Sequence, residues 1–134
     1  SDQAVSDNTL TKVAFNSEAF DTDNKFTDAR FTPTISGKYF VYCQVVGFSG
    51  GDSDLITMTL QIRKNGSVTR FSFIETSNNF GKTNTMNCSA TVVLDDNDYV
   101  EIFASIDGSS GGGEVILGTA NSGTIFGAYK LIGA

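Results

Sequence analysis

Residues 37–48, Gly-Lys-Tyr-Phe-Val-Tyr-Cys-Gln-Val-Val-Gly-Phe, constrain the fold more than any other stretch of the chain. They are rich in aromatic and β-branched side chains, so the run reads as one long strand. Successive side chains of a strand point to opposite sides. Tyr39, Val41, Cys43 and Val45 therefore share one face, and Phe40, Tyr42, Gln44 and Val46 share the other. A strand with one wet face would alternate apolar with polar residues. Here both faces are largely apolar, so this strand has to be covered on both sides. The last apolar run repeats the arrangement, with Phe126 and Ala128 on one face and Ile125, Tyr129 and Leu131 on the other.

The rest of the chain has the same local character. Turn-forming clusters separate short β-rich segments, which predicts about nine strands over 11–15, 26–32, 37–48, 55–64, 68–75, 85–94, 99–106, 114–118 and 123–132. Asn65-Gly66 supplies the two positive φ angles of a tight hairpin turn between the fourth and fifth of these. The turn 95–98, Asp-Asp-Asn-Asp, is expected to make the strand ending in Val92 and Leu94 pair with, or lie close to, the one carrying Val100, Ile102 and Ala104. No stretch keeps apolar residues at helical spacing without a β-branched or glycine interruption, so almost no helix is expected.

With 134 residues the chain has the size of one domain, and the expected division is a connector over 1–9 followed by the domain over 10–134. A net charge of -6 repels a phosphate backbone and offers no basic stripe, which sets nucleic acid aside as a partner. No apolar run approaches the roughly 20 residues that a spanning helix needs, so membrane insertion is not expected. Residues 1–8 lack the basic and apolar regions of a signal peptide and resemble a cut boundary.

Four pieces, in order, resemble the globular head of complement C1q and its relatives in the tumour necrosis factor superfamily. The first is Phe15, Asp21, Phe26 and Phe31 leading to Gly37-Lys38-Tyr39-Phe40-Val41-Tyr42, similar to the family's Gly-x-Tyr strand. The second is Leu60 through Lys64-Asn65-Gly66. The third is Val92-Val93-Leu94 through Asp98-Tyr99-Val100, where Asn97 stands in place of the usual glycine. The fourth is Phe126-Gly127-Ala128-Tyr129-Lys130-Leu131, close to the family's closing pattern. The resemblance implies an all-β, antiparallel jelly-roll sandwich of two sheets with about nine to ten strands. It also implies a homotrimer, with Phe40, Tyr42, Gln44, Asn87, Tyr129 and Leu131 lining the threefold interface. The alternative is a monomeric sandwich in which these side chains pack internally. There is no Gly-X-Y repeat, so any collagen-like stalk would lie outside this sequence.

Chemistry is constrained by what is missing. The absence of histidine removes Ser-His-Asp and Cys-His catalysis and every His-ligated metal centre, and no enzyme activity is expected. Cys43 and Cys88 fall on the core face of what would be adjacent strands, either as a disulfide or as two buried thiols. No cofactor is expected. A structural calcium ion stays open, with 21–24 and 95–98 as the acidic segments that would supply carboxylates, although both lack the glycine and distal glutamate of a calcium loop. Asn65 and Asn87 match glycosylation acceptors, a pattern that so Asn- and Ser-rich a chain produces by chance.

Ligand contacts belong on the loops, which vary without disturbing a rigid sandwich. The candidates are Asp52, Ser53 and Asp54, then Asn78, Asn79 and Phe80, then Asp107, Ser109 and Glu114. Such polar loops suit sugar hydroxyls. The function expected is a trimeric C1q-like binding head, the receptor- or glycan-binding tip of a bacterial or phage surface or tail fibre. It would stand outside the cell, on a cell or virion surface, and touch a glycan or protein receptor. The alternatives are a secreted pattern-recognition or ligand-type protein and a purely structural trimerisation cap.

Overall fold

The computed structural model describes residues 2–15, 25–50, 55–76, 81–109, 111–118 and 123–133. Among these, the regular elements are eleven strands in two antiparallel sheets, the all-β sandwich that the sequence predicts. The first sheet is built on β5 (Gly37–Phe48). β8 (Thr83–Leu94) pairs with it along its whole length, from Gly37 opposite Leu94 to Phe48 opposite Thr83. Along its other side lie two shorter strands, β11 (Ile125–Lys130) and β10 (Val115–Leu117), with β1 (Gln3–Ala4) outside β10.

The second sheet is built on β9 (Val100–Gly108). β6 (Leu55–Lys64) flanks it on one side, and β2 (Thr11–Lys12) and β4 (Arg30–Phe31) flank it on the other. β7 (Ser67–Glu75) lies outside β6, and β3 (Phe26–Thr27) lies outside β4.

Alternation places the core between the sheets. Tyr39, Val41, Cys43 and Val45 of β5 face inward with Met86, Val92 and Leu94 of β8, and meet Met58, Leu60, Ile62, Ile102 and Ile106 of the second sheet. Asn65 and Gly66 adopt φ of 50° and 85°, which closes the β6–β7 hairpin as a two-residue turn that only such residues accept cheaply. Asn65 also fixes the next turn. Its amide donates to Asp98 Oδ1 at 2.8 Å, and its Oδ1 accepts from the Tyr99 backbone N–H at 2.9 Å.

Four expectations shift. Residues 26–32 form a hairpin, β3 and β4, because Asp28 and Ala29 both turn left-handed at φ 56° and set Phe26 opposite Phe31. The segment 1–9, expected as a connector, is stitched onto the sandwich: β1 pairs with β10, Val5 N–H donates to Glu114 O, and Asn8 N–H donates to Ile106 O. Of the two placements open to β8 and β9, pairing does not occur: the turn between them crosses from one sheet to the other, so Val92 and Leu94 enter the core from the first sheet and Val100 and Ile102 from the second. Finally, β9 runs on through Gly108, which makes Asp107 a strand residue and not a loop one.

One buried carboxylate ties three strands. Glu101 on β9 accepts from Arg30 on β4 at 3.0 Å and pairs with Lys12 on β2 at 2.9 Å, while the Arg30 guanidinium lies 3.7 Å over the Tyr99 ring. Burial pushes the Glu101 carboxyl up, but the hydrogen bonds and charges of Lys12 and Arg30 together outweigh it, and the net shift is down from 4.5. A native carboxyl that binds its proton less tightly than the unfolded chain stabilises the fold fully above that value. The stabilisation is lost as pH falls through the lower native value. Urea midpoints should therefore hold steady near neutral pH and fall once the pH drops below about 4.5. Glu101→Gln should cost about 1–3 kcal/mol at neutral pH and flatten that acid limb. An unchanged acid limb in the variant would remove Glu101 from the account.

Candidate binding surface

The outward face of the first sheet is set by β5, and the register assigns its neighbours row by row. Tyr129 and Thr91 flank Phe40, Gly127 and Ser89 flank Tyr42, and Ile125 and Asn87 flank Gln44. Five of the six residues expected at a subunit interface thus lie on one surface. Leu131 falls just past β11 at the rim of that face, its N–H donating to Lys38 O at 2.9 Å.

The aromatic members of this face pack on one another. Phe40 and Tyr42 stack at 6.2 Å between ring centroids, Phe40 and Tyr129 lie at 5.5 Å, and Tyr42 and Tyr129 lie at 6.5 Å. The Tyr42 ring lies over Gly127, where any Cβ would collide with it. Glycine is needed there for space. Despite this mutual packing, Tyr129 is 55% and Tyr42 38% exposed in the single chain. The alternative in which these rings pack internally therefore fails for the chain alone: they point away from a core already filled by Val41, Cys43 and Val45.

Between β5 and β8 the same face sinks into an open depression of about 340 Å³, lined by Phe40, Tyr42, Gln44, Asn87, Ser89 and Ile125. Its polar groups are partly committed: Gln44 Nε2 donates to Gly123 O at 2.8 Å. Thr124, almost fully buried, bridges the two short strands beside β5, since its hydroxyl donates to Leu117 O and accepts from Val46 N–H at 3.1 Å. Ser89 and Thr124 were not singled out from the sequence. Ser89 could have been found by writing out the β5–β8 register, whereas the role of Thr124 depends on where β10 stops.

The candidate ligand loops fare differently. Asp52, Ser53, Asp54, Asn78, Asn79 and Phe80 lie outside the described residues. Ser109 is exposed. Asp107 points outward from β9, its carboxyl pushed up by partial burial, with Asp7 adding to the shift. Glu114 is a correction: at 1% exposure it lies inside the fold, two residues before the inward-facing Ile116 and within reach of Gly108 on β9, while its carbonyl accepts from Val5 N–H. These three residues do not form one exposed surface.

Of the two calcium candidates, 21–24 lies outside the described residues. In the other, Asp98 is occupied by the fold. Its carboxylate accepts from the Asp95 N–H at 2.8 Å and from Asn65, pairs with Lys64 at 3.3 Å, and is held below its ordinary value chiefly by the bond from Asp95. Among the described residues no three Cys, Asp or Glu side chains cluster as metal ligands.

No protein-family model and no curated protein matches the chain. Among solved structures it is similar to the globular domain of zebrafish complement 1qA protein, with a TM-score of 0.62 and 14% identity over 96% of this chain and 90% of that one. The fold is therefore that of a C1q-like globular domain, as the four sequence pieces imply.

Cys43 and Cys88 stand directly opposite each other on β5 and β8, both buried and both free. The Cys43 Sγ lies 3.5 Å from the Cys88 carbonyl oxygen, and burial pushes the Cys43 thiol well up from its ordinary value and the Cys88 thiol up as well. A buried protonated thiol is a poor nucleophile. Ellman titration should find no reactive thiol in the native protein at mildly alkaline pH and two after denaturation. No thiol after denaturation would mean that the pair is bridged.

Proposed function

We propose that this chain is the binding head of a homotrimer, in which three copies turn the outward face of the β5 sheet toward a shared axis. The observation that carries this reading is the aromatic cluster of Phe40, Tyr42 and Tyr129, together with Ile125, standing on the outside of a sandwich whose core is complete without it. Monomeric proteins rarely leave such patches uncovered.

The edge beside that face supports the same reading. Among the described residues β8 pairs as a strand only with β5, so no strand hydrogen-bonds to its far side, where β7 passes nearby and Lys64 Nζ donates to Val93 O at 2.8 Å. Long open edges invite pairing and are normally covered. A head-to-tail ring closes around a threefold axis when one surface of each copy meets a different surface of the next. The β8 edge and the aromatic face supply two such surfaces side by side.

The setting proposed is the tip of a bacterial or phage surface or tail fibre, outside the cell, contacting a cell-surface glycan or protein receptor. It rests on analogy of fold and on a polar, tryptophan-free, acidic composition. No helix among the described residues is long and apolar enough to cross a membrane.

Sedimentation equilibrium at micromolar concentration should give three times the 14.3 kDa chain mass. Tyr42→Ala should leave a folded but dissociated chain, because losing a buried aromatic at an interface costs of order 3–5 kcal/mol. A stable lone subunit of the unaltered protein would overturn the proposal.

A further inference from the structure

We infer that the opposite side of the sandwich, the outward face of the second sheet around Arg63, binds an acidic sugar residue of a glycan. The sugar carboxylate would pair with the Arg63 guanidinium and its ring would lie against Phe71.

The register lays this face out in rows. Val68, Arg63, Glu101 and Arg30 form one row; Phe71, Gln61, Phe103 and Lys12 form the next; Phe73, Thr59 and Ser105 form a third. Lys12 and Arg30 share the single carboxylate of Glu101. Arg63 has only neutral partners: its Nε–H donates to Gln61 Oε1 at 2.8 Å and its guanidinium lies 4.1 Å over the Phe103 ring. The terminal N–H groups of that guanidinium have no partner among the described residues, and such a planar fork matches a carboxylate. Three cations against one carboxylate make this part of the face positive in a chain of net charge -6.

Beside the guanidinium the face is apolar and open. Phe71 is 63% and Phe73 53% exposed, each standing out from β7, and Gln61 lies between Phe71 and Phe103. Such amphipathic surroundings suit a sugar ring: its C–H face packs on an aromatic ring while its hydroxyls reach the half-buried Gln61 amide and Thr59 hydroxyl. A long polyanion fits less well. Glu75 and Asp107 flank Thr57 at the far end of the same face and would repel it. One isolated anionic group set among hydroxyls is the make-up of a sugar acid.

This inference deepens the proposed binding head by naming a ligand class. The site lies away from the sheet turned toward the threefold axis, so its success or failure is separable from that of the trimer. The test is calorimetry on the full chain with sialyllactose and with lactose, the same samples being weighed by sedimentation. Sialyllactose should bind, lactose should bind at least about tenfold more weakly, and raising NaCl from about 50 to about 300 mM should weaken the acidic ligand. Arg63→Ala and Phe71→Ser should each cost about tenfold or more, Arg63→Lys should restore binding only in part, and Glu75→Gln should bind at least as well as the unaltered chain. Equal binding of the two sugars, equal binding of oligoglutamate, no binding of sialyllactose at millimolar concentration, or an unaffected Arg63→Ala would each overturn the site. A single-chain mass with acidic-sugar binding intact would refute the trimer and support the site.

Discussion

The structure depends on β5 being apolar on both sides. Its inward side chains, Tyr39, Val41, Cys43 and Val45, close the core against the second sheet, and its outward ones, Phe40 and Tyr42, build the exposed aromatic cluster with Tyr129. A one-residue slip of this strand would exchange the two sets. The register is therefore fixed from several sides at once: β8 pairs along all twelve residues, β11 and β10 divide the other edge, and Gly127 leaves room for the Tyr42 ring.

Much of this was legible in the sequence because alternation is a local signal. The bounds of β5 and β6, the Asn65-Gly66 turn, and the division of β5 and β11 into inward and outward residues all follow from side-chain type and period. What was not legible depends on long-range partners. The hairpin at Asp28 and Ala29 is hidden because neither residue advertises a left-handed turn as glycine does. β1 is two residues long and exists only through β10, more than a hundred positions away in sequence. Glu114 reads as a loop acid because acids are mostly exposed, whereas its inward position depends on where β10 starts and on Gly108 of the opposite sheet lying against it.

The two outward faces differ in kind, and the two proposals rest on that difference. The face of the first sheet gathers aromatics around Gln44, Asn87 and Ser89, with β8 carrying no further strand beside it, which is the make-up the proposed subunit interface calls for. The face of the second sheet mixes exposed phenylalanines with a guanidinium that has only neutral partners, over a cation-rich row anchored by Glu101. Such a surface suits a small polar ligand carrying one negative charge. A rigid sandwich would let one side serve the proposed assembly while the other stays open for the proposed recognition.

The most direct test of the central claim is whether the aromatic cluster is covered in solution. Hydroxyl-radical footprinting of Tyr42 and Tyr129 at high concentration and after serial dilution reads this side chain by side chain. The account predicts slow labelling that accelerates together at both residues as the assembly dissociates. Fast labelling at every concentration, at the rate of a freely exposed tyrosine, would contradict it.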